Sequence, residues 1–228
     1  MSGQDRAHPG PTIAVVDYGM GNRRSVQKAL EHVGARALIT RDHDELRAAA
    51  GIVIPGVGAF PHAMSSLRSL GLDEVLVQRA DSGTPLLGIC LGMQLLFERS
   101  VEVEPATGLG LIAGEVAPLQ TRGLRLPHIG WNEVTFERPS DITRSLPDSG
   151  RPFYHVHSLA PRPADPSTVV GTTEYGERFA TIVAQERVFG VQFHPEKSST
   201  DGLAMLADFA AVSAGAGAGA ARGASVTA

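Results

Sequence analysis

Runs of β-branched and aliphatic residues alternate, through the first half of the chain, with segments whose apolar positions recur every three or four residues. Thr12–Val16 reads as a strand. Asn22 is placed to cap a helix that carries Val26, Ala29, Leu30 and Val33 on one face, and Gly34 supplies its stop. The pattern repeats with a strand at 37–40, a helix opening after Arg41, and an apolar strand at 51–54 ending in Pro55. Residues 60–81 read as one or two helices, 85–89 as a further apolar strand, and 91–99 as the helix it leads into. Strands alternating with helices predict an α/β fold built on a doubly wound, mostly parallel sheet flanked by helices.

From about residue 108 the texture changes to strand-like runs separated by Gly and Pro, at 124–126, 132–136, 179–184 and 188–193. Such runs predict antiparallel hairpins added to the parallel sheet. Leu203, Leu206 and Phe209 fit one face of a closing helix. The expected organisation is a flexible tail over 1–11, one domain over 12–212, and a disordered Ala/Gly-rich tail over 213–228.

A chain of 228 residues, 43% hydrophobic and 19% charged, suits one soluble α/β domain. Its apolar runs are too short to span a bilayer, and its first residues lack the apolar core of a secretory signal, so a cytoplasmic protein without membrane contact is expected. A net charge of −4 gives no electrostatic reason to expect nucleic acid. The sequence holds no P-loop, no GxGxxG after the first strand and no zinc-type spacing of Cys or His, so no cofactor is expected.

A lone cysteine has no internal partner, which leaves a buried filler, an intermolecular link or a reactive thiol. Gly88-Ile89-Cys90-Leu91-Gly92 puts it between glycines where a predicted strand meets a predicted helix, the thiol counterpart of the G-x-S-x-G elbow. Glycines suit a turn too sharp for a neighbouring Cβ, and a helix amino end favours a thiolate. FHPEK at 193–197 offers a base and its orienter: His194 and Glu196 lie two apart on an extended segment and point to one side. PGVGAF at 55–60 follows another strand and brings Gly58 N–H toward a developing oxyanion, unless it is an ordinary strand-to-helix loop.

PGVG, GICLGMQ and QFHPE, in this order, resemble the active-site signatures of class I (triad) glutamine amidotransferases. DYGMGN, LPHIGWNEV, GTTEY and HPEKS are similar to segments of the glutaminase subunits of imidazole glycerol phosphate synthase, and the resemblance covers about residues 12–211. It implies that Cys90 forms a γ-glutamyl thioester, that His194 acts as base and then acid, and that Glu196 orients it. Gly58 and Leu91 would form the oxyanion hole. Gln94, Glu102, His157 and Ser158 fall among the positions that hold glutamine, with Glu102 facing its α-ammonium group.

The partner implied is a (β/α)₈-barrel cyclase, forming a heterodimer and receiving ammonia through a channel for the synthesis of imidazole glycerol phosphate and an aminoimidazole carboxamide nucleotide. Asn22, Arg125, Trp131, Asn132, Tyr154 and Lys197 match its docking face and ammonia gate. Taken singly these are ordinary residues, and a lone Trp is more often core than interface. His128 follows the family pattern and reads equally well as a structural histidine. Residues 154–159, YHVHSL, depart from the usual YFVHSY by His155 and Leu159, which leaves pocket and interface packing near this strand open. The competing readings are the glutaminase component of another amidotransferase, a cysteine hydrolase with the same elbow, and a binding module without catalysis. LPHIGWNEV and DYGMGN oppose the first, QFHPE with an intact PGVG loop the second, and the intact triad the third.

Overall fold

The computed structural model describes residues 10–102 and 105–223. Its first half follows the alternation of the sequence: β1 (Thr12–Val16), α1 (Arg23–His32), β2 (Arg36–Thr40), α2 (His43–Ala48), β3 (Gly51–Gly56), α3 (Phe60–Ser69), α4 (Leu72–Asp81), β4 (Leu86–Cys90) and α5 (Leu91–Leu95). Strands dominate the second half: β5 (Phe97–Ser100), β6 (Ala106–Thr107), β7 (Ile112–Pro118), β8 (His128–Phe136), β9 (Arg151–His157), β10 (Leu159–Pro163), β11 (Val169–Tyr175), β12 (Glu177–Gln185) and β13 (Val188–Val191). The helix α6 (Ser199–Gly223) follows.

The main sheet has the order β2-β1-β3-β4-β13-β12-β11-β8-β9. It is parallel from β2 to β13 and antiparallel from there to β9. β3 and β4 are buried along their whole length because helices cover both faces of the parallel part. Ile13, Val15 and Val53 face a core shared with Val26 and Leu30 of α1 and Met205, Leu206 and Phe209 of α6. Ala14, Val16, Ile52 and Ile54 face the opposite core with Leu46 of α2, Phe60 and Met64 of α3, and Leu76 of α4. Side chains two apart on a strand thus meet the same helix layer. A smaller sheet, β10-β7-β5-β6, packs beside this second core.

Four expectations change. The helix after Cys90 stops at Leu95 rather than Arg99, because Phe97 turns into β5, whose pairing with β7 is shifted between Phe97 and Arg99; that irregularity leaves Glu98 and Arg99 outside and Phe97 inside. Residues 124–126 form no strand: Leu124 and Leu126 are 48% and 42% exposed in the turn before β8. Asn22 sits at the start of α1 without a side-chain capping bond. Finally, α6 carries helix through residue 223, so the described part of 213–228 is helical, and Ser213 is buried against Gly51 of β3. Residues 1–9 and 224–228 lie outside the described residues.

Candidate active site

The carboxyl ends of β3, β4 and β13 lie side by side, and each delivers one part of the site. Cys90 closes β4 with φ +55°, a conformation that L residues rarely adopt and that persists where the surroundings enforce it. The surroundings here are glycines. A Cβ on Gly92 would lie 1.8 Å from the Ile54 carbonyl oxygen, and one on Gly88 would lie 2.5 Å from the Gly92 carbonyl oxygen. Only glycine at both positions lets α5 start this close to β3 and β4. Beside the elbow, Tyr18 donates its hydroxyl to the Pro55 carbonyl at 2.6 Å and fixes the strand end that leads into Val57 and Gly58. Burial, and then charge on the Cys90 sulfur, hold the Tyr18 phenol protonated far above its ordinary range.

His194 and Glu196 follow β13 as expected, with His194 Nδ1 and Glu196 Oε1 2.9 Å apart and both side chains buried. The His194 backbone is held by its N–H to the Tyr154 carbonyl, and Ser198 returns its hydroxyl to the His194 carbonyl. Burial alone would favour the neutral ring. The hydrogen bond to Cys90, that to Glu196 and the charges of both outweigh it, raising the His194 pKa to about 9.

A cavity of about 210 Å³ opens onto the thiol, lined by Cys90, His194, Gly58, Leu91, Gln94 and Ser158 together with Val57, Val156, His157, Leu159 and Lys197. The expected residues that do not line it are Glu196, which sits behind His194, Glu102 and five of the docking set. Glu102 accepts the Phe60 N–H at 3.1 Å at the start of α3. Trp131, 54% exposed on β8, stands edge-on to Tyr154 of β9, so the core reading of this Trp fails. Asn22 begins α1, and the Arg125 carbonyl accepts the Tyr175 hydroxyl at 2.8 Å. Asn132 donates to the Glu174 carbonyl at 2.9 Å and lies 3.3 Å from His128 Nε2.

His155 does not reach the pocket. It is buried with His128 and His157 between β8, β9 and β12. His157 Nδ1 lies 2.8 Å from the Leu159 carbonyl, which can only accept, so this nitrogen carries the proton and Nε2 accepts from His128 Nδ1 at 3.2 Å. His155 by the same logic donates from Nδ1 to the Phe153 carbonyl and accepts the Thr181 hydroxyl at Nε2. Burial favours the neutral form of all three rings. Burial lowers His128 to about 4 and His157 to about 3, and holds His155 well below its ordinary value with help from the neighbouring rings. Sequence reasoning gave no role to Tyr18 and Gln192, although they lie within DYGMGN and QFHPE; Gln192 also shows as a polar amide in the apolar run 188–193.

The sequence matches the family described as glutamine amidotransferase class-I over residues 14–212. The imidazole glycerol phosphate synthase subunit HisH of Moorella thermoacetica is 50% identical over 197 residues, 86% of this chain and 93% of that protein. The HisH subunit of a Bacillus cereus strain is 47% identical over 200 residues, 88% of this chain and 94% of its own length. Two solved structures share the fold at lower identity. One described as a glutamine amidotransferase has a TM-score of 0.69 at 20% identity, covering 88% of this chain and 98% of its own. The other, the glutaminase domain of Trypanosoma brucei CTPS with bound acivicin, has a TM-score of 0.65 at 18% identity, covering 90% and 94%. The chain belongs to the class-I glutamine amidotransferases and, within them, to the HisH family of imidazole glycerol phosphate synthase subunits.

Proposed function

We propose that this chain hydrolyses glutamine to glutamate and ammonia at Cys90 and passes the ammonia to a (β/α)₈-barrel cyclase subunit, in the histidine-biosynthesis step that makes imidazole glycerol phosphate and an aminoimidazole carboxamide ribonucleotide. The observation that carries this reading is one pocket in which a thiol on a strained elbow meets a buried His–Glu pair. The Cys90 sulfur attacks the side-chain amide carbon of glutamine, and the N–H groups of Gly58 and Leu91 donate to the developing oxyanion. A ring that holds its proton to about pH 9 is ready to act first as the acid that protonates the leaving ammonia. Left neutral, His194 then takes a proton from the water that hydrolyses the γ-glutamyl thioester, and Glu196 keeps the ring in register throughout.

Gln94, His157 and Ser158 line the cavity and serve to hold glutamine, with Glu102 near the start of α3 for its ammonium group. Trp131, Ile129, Leu124 and Leu126 expose apolar surface on and before β8. Apolar surface of this kind suits a docking face, formed with Asn22, Arg125, Asn132, Tyr154 and Lys197. A cytoplasmic heterodimer fits a chain in whose described residues no helix is long and apolar enough to cross a membrane. The test is glutamate release with the cyclase present. Cys90→Ala should lower it by about a thousandfold or more, His194→Ala nearly as much, and Glu196→Gln less, since an orienter contributes less than the base it positions. Substantial glutamate release by Cys90→Ala would remove the thiol from the mechanism.

A further inference from the structure

We infer that Gln192 is a further catalytic residue of this site, the donor that holds the Cys90 sulfur during thioester chemistry, and that Gln94 sets its orientation. The inference rests on the glutaminase reading above and adds a residue to it. Gln192 follows β13 directly, one step beyond the Val191–Ile89 pair that aligns β13 with β4, so it falls beside Cys90. Its side chain is fully buried, and its backbone N–H donates to the Thr181 carbonyl at 2.9 Å. A buried primary amide without partners is costly, so each of its ends needs a reason.

The reasons fix which end faces the sulfur. Gln94 Nε2 lies 3.2 Å from the Leu159 carbonyl oxygen, which can only accept, so the NH₂ end of Gln94 points there. The same NH₂ group lies 3.1 Å from Gln192 Oε1, which must accept its second hydrogen. The remaining end of Gln192 is then its NH₂ group, 3.8 Å from Cys90 Sγ. Besides His194, the other polar neighbour of the sulfur is the Val156 carbonyl oxygen at 3.7 Å, which accepts from the thiol.

The Gln192 amide and the Val156 carbonyl behave differently once the thiol loses its proton. The Val156 carbonyl then faces a lone pair and ceases to attract the sulfur, whereas the Gln192 N–H donates to a thiolate more strongly than to a thiol. Gln192 therefore joins His194 in keeping the nucleophile in place when the Val156 contact turns repulsive. It does not line the cavity, so it acts on the sulfur rather than on bound glutamine.

Two replacements of similar size separate donation from packing. Gln192→Met removes both polar ends, while Gln192→Glu keeps an oxygen for Gln94 and loses the donor. With cyclase and nucleotide present, both variants should lower kcat about ten- to a hundredfold, the range for one hydrogen bond to a charged group. Alkylation of Cys90 by iodoacetamide in the chain alone should slow in parallel. In a Cys90→Ala background, calorimetric glutamine binding should stay within about twofold for Gln192→Glu, which keeps the acceptor for Gln94, a readout that a merely structural residue would disturb. Wild-type kcat in Gln192→Glu overturns the inference, and so does an equal loss of glutamine binding in the Cys90→Ala background. Should Gln192→Met fail to fold, Gln192→Glu decides alone. A wild-type chain that releases no glutamate refutes the glutaminase reading instead, and alkylation still reports whether Gln192 holds the sulfur.

Discussion

At Cys90, His194 and Glu196 the proposed chemistry rests on charge placed among buried side chains. His194 and the buried histidines next to it give opposite pH dependences. A His194 pKa of about 9 lies above the ordinary 6.5, so its contribution to stability is complete below pH 6.5 and is lost as pH rises to about 9. His128 and His157, lowered to about 4 and 3, contribute above pH 6.5, and that contribution is lost as pH falls toward those values. The thermal midpoint should therefore peak near pH 6.5 and fall on both sides. Cys90→Ala, which removes one cause of the His194 shift, should flatten the alkaline limb and leave the acid limb unchanged. Identical profiles for the two proteins would contradict this assignment. The placement of the proposed triad was legible in the sequence, because Cys90 lies between glycines and His194 and Glu196 lie two apart. The role inferred for Gln192 was not, because it depends on the register of β13 against β4, a pairing between residues far apart in the chain.

Among the elements, the tightest constraint is the approach of α5 to β3. Gly92→Ala would put a methyl carbon 1.8 Å from the Ile54 carbonyl oxygen, where backbone rather than a flexible side chain must give way. The variant should lose about 3–5 kcal/mol in urea denaturation, the range of severe single substitutions, and lose glutamate release with it. Near-wild-type stability would show that α5 can slide away from the sheet. Strands β1, β3 and β4 were readable because both faces are buried, so their apolar runs are continuous. The end of α5 was hidden by Leu95-Leu96-Phe97, an apolar run that fits helix and strand equally well. The Ala/Gly/Ser tract after residue 212 gives no periodic signal, although Ser213 packs on Gly51 within α6. Small residues allow that close contact and look, in composition, like a linker.

Over the whole molecule, β9 links the candidate pocket, which Val156 and His157 line, to the exposed surface around Trp131 on β8. Tyr154 pairs with Trp131 across β8 and β9, and its carbonyl holds the His194 backbone. Lys197 lines the cavity and is exposed. A subunit docked on this face would therefore bear directly on the segment that carries the triad histidine. The PGVG loop offers a second point of control, since Gly58 has φ +112° and Val57 is exposed. A peptide at glycine can turn its N–H toward or away from an oxyanion, and one misdirected donor costs about 2.7–4 kcal/mol in the transition state. The chain alone should accordingly release glutamate slowly, with strong stimulation by the cyclase and its nucleotide through differential affinity for the donating state. The most direct test supplies glutamine labelled with ¹⁵N in its amide to the chain alone, with the cyclase, and with the cyclase plus nucleotide. The account predicts the fastest glutamate release and ¹⁵N in the imidazole product in the third mixture, both abolished by Cys90→Ala. Equal glutamate release in all three mixtures, or an imidazole product without label, would contradict it.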